Sequence, residues 1–245
     1  MNRLLTLSSF RITSFCLLAL WVVLAPAQAI ASTIGWNSGF ANGGAVPDGN
    51  ITGWSDTRTL SGLTGNSILN LTVTLQLTGG WNGDIYAYLT HGTGFAVLLN
   101  RSGVTGSSPF GYGDNGLNVT FSDTGSSDIH LYQTVPGYST GIANGSIWQP
   151  DGRAVSPLSV TGADPRTALL SSFNGLDPNG DWTLFVADLS NGGVSTVVSW
   201  GLDIETTQNS GPSVPDSGST WALLGLALGG LVWLGRAGRV RDSKY

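Results

Sequence analysis

Positive charge is scarce in this chain. Between Ser32 and Val214 there is no lysine, and Arg58, Arg101, Arg153 and Arg166 stand against twelve aspartates and Glu205, a net charge of −9. That balance argues against binding nucleic acid, which is held by basic side chains on its phosphates. It suits divalent cations and solubility outside the cell. Cysteine is almost missing: Cys16 stands alone, so no disulfide scaffold can form within the chain. The two histidines, His91 and His130, lack a second histidine at metal-ligand spacing. No Gly-x-Ser-x-Gly elbow occurs between a strand and a helix, and no window in the middle of the chain has helical periodicity of useful length. A non-catalytic protein is expected. A hydrolase remains an alternative only through a constellation assembled from distant loops.

What is present is concentrated first at the two ends. Arg3 and Arg11 precede an apolar run, Phe15 to Ala25, followed by Ala-Pro-Ala-Gln-Ala-Ile-Ala-Ser. A positive n-region, an apolar h-region and small residues before a cut after Ala29 or Ala31 predict a signal peptide over residues 1–31. Cys16 lies inside the apolar run, which is not a lipoprotein arrangement. At the other end, Trp221–Leu234 carries no charge for 14 residues, and about 19 residues from Ser217 to Gly235 lack an ionisable side chain. That approaches the ~20 a spanning helix needs. Arg236, Arg239 and Arg241 then mark the cytoplasmic end by the positive-inside bias. The expected order is a sandwich domain over 32–207, a linker over 208–218, a transmembrane helix over 219–235 and a basic cytoplasmic tail over 236–245.

Between the ends, the alternation is that of strands. Leu69, Leu71, Val73, Leu75 and Leu77 alternate with polar residues over Leu69–Thr78, a period-two pattern with one buried face. After Gly79-Gly80 and the turn Trp81-Asn82-Gly83-Asp84, Ile85, Ala87 and Leu89 share a face opposite Tyr86 and Tyr88. Phe95–Leu99 and Leu117–Phe121 are further short strands, separated by a Gly- and Ser-rich loop over Asn100–Gly116. Ile34–Gly65 reads as a lead-in of short strands, with Trp36 and Trp54 over an edge of the core. Ser122–Leu170 reads as mostly irregular, apart from a short strand around His130. Near the end, Trp182, Leu184 and Val186 point one way, and Val198, Trp200, Leu202 and Ile204 share a face of Val194–Glu205. Many short strands, Gly-rich turns and no helix predict an all-β sandwich.

Two resemblances attach to these residues. Val214, Pro215, Asp216, Ser217 and Gly218, followed by an apolar helix and an arginine cluster, resemble the PEP-CTERM type of bacterial sorting signal in its VPDSG-CTERM variant. That resemblance implies recognition by an exosortase, a membrane-embedded cysteine protease that removes the helix. It also implies export to the cell surface or extracellular matrix, with membrane anchoring before processing. The stretches Leu69–Thr78 with Gly83-Asp84-Ile85, and Asn179-Gly180-Asp181-Trp182-Thr183-Leu184 with Asp188 and Ser199-Trp200-Gly201-Leu202, resemble the P domain, or Homo B domain, of proprotein convertases. Leu98 to Gly103 and the opening Val46-Pro47-Asp48 fit the same pattern. The resemblance implies a jelly-roll sandwich that often binds calcium. This chain departs from it at Gly193-Val194-Ser195 and in its long Asp123–Pro165 region.

Three chemistries are therefore weighed. Asp84 and Asp188, matched to the family and placed at strand ends, could hold Ca²⁺ with loop carbonyls; each could equally cap backbone N–H groups in its own turn. Asp177-Pro178-Asn179-Gly180-Asp181 has calcium-loop spacing, but Trp182 stands where an EF-hand turn requires glycine, so it reads as a turn into a strand. Tyr86, Tyr88, Tyr112, Tyr132, Tyr138 and Trp148 could stack on a polysaccharide, or cover a sheet. The five Asn-x-Ser/Thr triplets follow from a Ser-, Thr- and Asn-rich composition. The expected function is a structural or adhesive surface protein, with a carbohydrate-binding module as the alternative.

Overall fold

A computed structural model of the chain describes residues 29–65 and 67–207. The expected leader through residue 28, the expected linker and transmembrane helix, Val214–Gly218 and Arg236, Arg239 and Arg241 lie outside these residues. Among the described residues nine strands form two sheets. They are β1 (Ala29–Trp36), β2 (Asn50–Leu60), β3 (Ile68–Gly79), β4 (Ile85–His91), β5 (Gly94–Asn100), β6 (Leu117–Phe121), β7 (Ile142–Trp148), β8 (Gly180–Asp188) and β9 (Ser195–Thr207). One sheet runs β1-β9-β3-β6-β7 and the other β2-β8-β4-β5. All pairings are antiparallel except β6 with β7. The all-β expectation is met.

The core forms because alternate residues of each strand face the other sheet. Leu71, Val73, Leu75 and Leu77 of β3, Ile85, Ala87 and Leu89 of β4, and Trp182, Leu184 and Val186 of β8 are all buried in one cluster with Trp200, Leu202 and Ile204 of β9. The open edge of β5 is covered by the segment around Asp151 and Ala168, whose backbone bonds to Val97 and Leu98 satisfy groups that an edge strand would leave bare.

Several sequence expectations need correction. β1 is a full edge strand that begins at Ala29, inside the residues assigned to the leader, and pairs with β9 along its whole length. β2 spans 11 residues, not short pieces, and its Trp54 is in the core at 4% exposure. Leu69 is exposed, because a register shift between Ile68 and Asn70 sends Ile68 inward instead. A second shift, opposite Gln76 and Leu77, makes Val198 the extra residue of a bulge, so Val197 takes the buried place; one inserted residue swaps faces in a period-two strand. The region 122–170 is less irregular than its prolines suggest. It contains β7 and a 3-10 turn at Ile129–Thr134, so His130 lies in that turn and not in a strand. Tyr132 and Trp148, expected in loops, are buried in these two elements.

The two ends of the sandwich differ. At one end Ala29 pairs with Thr207, Ile68 donates to the Leu176 carbonyl, and β4 turns into β5 through Gly92-Thr93. At the other lie the turn from Gly79 to Asp84, the loop from Leu189 to Val194, the Val46–Gly49 approach and the 101–116 loop. Val46 donates to the Ser195 carbonyl and Leu189 to the Asp84 carbonyl there. The first and last described residues thus share one end, and the loops after β3, β5 and β8 gather at the opposite one.

Candidate functional site

The loop-bearing end brings Asp84 and Asp188 together. Asp84 closes a one-turn 3-10 helix, Asn82–Asp84, just before β4, and Asp188 is the last residue of β8, in register with Ile85. Sharing the inward face with Ile85 turns the Asp188 side chain to the end of the core, where only 1% of it is exposed. Its Oδ2 accepts the Ser195 hydroxyl at 2.9 Å across the two sheets, and its Oδ1 has no hydrogen-bond partner among the described residues. Burial first, then the carboxylates of Asp84 and Asp48, push the Asp188 pKa up, against the Ser195 hydroxyl and the Ser190 backbone N–H. Asp84 accepts no side-chain hydrogen bond among the described residues and has only the Arg101 guanidinium nearby, at 3.7 Å. Asp48, whose Oδ2 receives the Gly192 N–H, is the acid that the sequence reading quoted but did not assign to the site; its Val-Pro-Asp context was the available signal. Among the described residues no group of three or more His, Cys, Asp or Glu side chains is placed to hold a metal. A cation here would draw on two carboxylates, Ser195 and carbonyl oxygens.

Asp84 also lines a cavity of about 300 Å³ with Trp81, Phe110, Tyr112, Ser190 and Asn191. Its walls are fixed by backbone bonds. Gly83 donates to the Tyr112 carbonyl at 2.8 Å, Asn82 to Asp114 at 2.9 Å and Tyr112 to Ser102 at 2.9 Å. The Arg101 Nε donates to the Gly83 carbonyl at 3.1 Å. Gly83 is required by this closeness, since a Cβ there would meet the backbone of Phe110, Gly111 and Tyr112. Only Tyr112 of the aromatic walls was singled out from sequence. Trp81 and Phe110 were missed because a turn and a Gly-rich loop carry no period.

Neither histidine is free for proton transfer to a nucleophile. His91, at the end of β4, stacks on Trp182 with ring centroids 4.0 Å apart, and its two nitrogens contact the carbonyls of Asp181 and Asp177. His130 is fully buried, its Nδ1 2.7 Å from Asp151 Oδ2 and its Nε2 2.9 Å from the Val104 carbonyl. Burial disfavours the charged ring, but the bond and charge of Asp151 with the Val104 carbonyl outweigh it, and the pKa is raised against the opposing charge of Arg153. Arg153 bridges Asp151 and Asp128 and donates to the Gly162 carbonyl, tying the long middle region to β5.

The remaining aromatics separate. Tyr132 and Trp148 pack inside with Tyr138 against them. Tyr86, Tyr88, Phe95 and Phe185 form a half-exposed array on the outer face of the four-stranded sheet, with Tyr88 and Phe185 stacked at 4.6 Å. The Asp177–Asp181 stretch is used as a turn: Asp177 Oδ1 accepts the Asn179 backbone N–H, and Asp181 accepts the Thr59 hydroxyl.

The all-β sandwich with an acidic, aromatic-lined end is the class of protein these features define. A model described as the VPDSG-CTERM motif matches residues 213–236, which marks a C-terminal sorting signal and an exported chain. No curated protein matches the chain. Among solved structures, it is similar to the Aeromonas sobria serine protease in complex with its chaperone, at 16% identity and a TM-score of 0.42, over 74% of this chain and 27% of that one. It is similar also to the serine protease of Aeromonas sobria alone, at 16% identity and a TM-score of 0.39, over 75% of this chain and 28% of that one. The chain thus matches little more than a quarter of the length of these structures.

Proposed function

We propose that this chain is a non-catalytic surface protein, exported through its leader and released or re-attached by an exosortase acting near Val214–Gly218. The sorting-motif match over residues 213–236 carries this reading. Residues 219–235 serve as the transmembrane helix before processing, and Arg236, Arg239 and Arg241 as its cytoplasmic stop. The sandwich works as a structural or adhesive module of jelly-roll, P-domain-like type. Its pairing supports that reading: β1 with β9, β2 with β8, β3 with β6 and β4 with β5 are the nested pairs of one long antiparallel ribbon rolled up, with β7 added at an edge. Engagement of all four histidine nitrogens supports the non-catalytic assignment.

Calcium at Asp84 and Asp188 completes the proposal. Asp188 is the reason: a buried carboxylate oxygen without a donor costs free energy that a hard cation would recover. The deciding experiment is the mass of the mature protein from the native host, with and without its exosortase. A C-terminus near Val214–Ser219 that depends on the protease is expected. An intact Tyr245 in the membrane fraction of both strains would overturn exosortase processing.

A further inference from the structure

We infer that the cavity between Trp81, Phe110 and Tyr112 is a binding site for a saccharide terminus, whose hydroxyl groups bond to Asp84. The inference deepens the surface-protein reading and rests on it, because polysaccharide is what such a protein meets outside the cell. Three observations converge. First, Trp81 is 41% and Phe110 80% exposed, and with Tyr112 they line one cavity, a grouped apolar surface of the kind found at ligand grooves. Aromatic faces beside hydroxyl acceptors suit a sugar, which offers C–H surface on one side and hydroxyls at its rim. Second, the Asp84 carboxylate lines the cavity and receives no side-chain or backbone hydrogen bond among the described residues. Arg101 stands 3.7 Å from one of its oxygens, and a carboxylate has further acceptor sites for O–H donors. Ser190 and Asn191 add polar groups on the facing wall.

Third, the cavity is built in advance. The bonds from Gly83 to Tyr112, from Asn82 to Asp114 and from Tyr112 to Ser102 hold the two aromatic-bearing loops together without a ligand. Asp114 is fixed in turn by Tyr132 and Gln133. A preformed wall spares the ordering cost of binding. At about 300 Å³ the cavity sits at the lower limit of the ~300–1,000 Å³ typical of small-molecule sites, which fits the end of a chain better than an extended segment. It also lies at the end of the sandwich opposite Ala29 and Thr207, away from the C-terminal tether.

The test uses the processed protein from its host. Its probes are neutral oligosaccharides released from the same cells' extracellular polysaccharide, together with glucose and N-acetylglucosamine trisaccharides, titrated by calorimetry. Binding by the wild type is expected. W81A and F110A should each weaken it about tenfold, as loss of one stacking ring implies, with melting temperatures near wild type. Y88A, on the outer sheet face, should leave it unchanged. No binding to any probe overturns the inference, and so does binding that Y88A abolishes and W81A spares. Because processing is read from the C-terminal mass and calcium from D188N, failure of either leaves a result distinct from failure of the saccharide site.

Discussion

His130 and Asp151 meet at 2.7 Å with neither side chain exposed to solvent. The second ring nitrogen faces another acceptor, the Val104 carbonyl, so the fully bonded ring carries both protons. The groups around it are Asp151, Asp128, which accepts its backbone N–H, and Arg153, whose charge opposes it. The folded pKa is raised above the unfolded value of ~6.5. The pair's stabilisation is therefore complete below about pH 6.5 and lost as pH rises through the folded value. Melting temperature should fall as pH rises above about 6.5, and H130Q should flatten that part of the profile.

Asp151 also anchors Arg153, whose side chain is only 3% exposed. D151A strands the buried His130 imidazolium and leaves Arg153 with Asp128 as its carboxylate partner. A loss of about 3–5 kcal/mol is expected, as for other broken buried ion pairs, measured by urea unfolding. A loss within ~0.5 kcal/mol, the scale of a surface substitution, would mean that the network does not secure the 122–170 region.

Asp188 gives a prediction that changes sign with calcium. An acid whose folded pKa is raised costs nothing below its unfolded value of ~3.9 and opposes folding as pH rises through the folded value. In EGTA at neutral pH, D188N should therefore melt higher than the wild type. With millimolar-range calcium the order should reverse, because only the wild type gains from the ion. If calcium does not raise the wild-type melting temperature, Asp84 and Asp188 do not hold it.

The two sheets are joined by a polar bond at Asp56. Its Oδ2 accepts the Trp200 indole N–H at 2.8 Å and the Arg58 Nε at 2.7 Å. D56A leaves the buried Trp200 donor unsatisfied and should cost about 1–3 kcal/mol in thermal or urea unfolding. D56N, which keeps an acceptor, should recover part of it.

Alternation was readable wherever one strand face is buried and the register is regular. β3, β4, β6 and β8 show their inward residues in the sequence for that reason. It was not readable at Leu69 and Val198, where a bulge reverses the faces without changing composition. β7 escaped because Asn144 and Gly145 interrupt it, with Gly145 at a positive φ of 75°, and because its parallel partner leaves no hairpin turn to recognise. Asp84 and Asp188 were legible as acids at strand ends. Trp81, Phe110 and Asp48 were not assigned, because what unites them is the closing of loops distant in sequence. The ion pair of His130 with Asp151, 21 residues apart, was hidden in the same way.

The placement of Ala29 beside Thr207, at the end opposite the aromatic cavity, has a mechanical consequence. If the sandwich is held by a ligand at the loop-bearing end and by its C-terminal linker at the other, tension runs along β9. That strand is flanked on both sides, by β1 over Ala29–Trp36 and by β3 over Ile68–Gly79. A pull in this direction loads the ladder bonds in shear, all sharing the force, and does not peel them one at a time. Between those two attachment points the β9 ladder would bear load along its length.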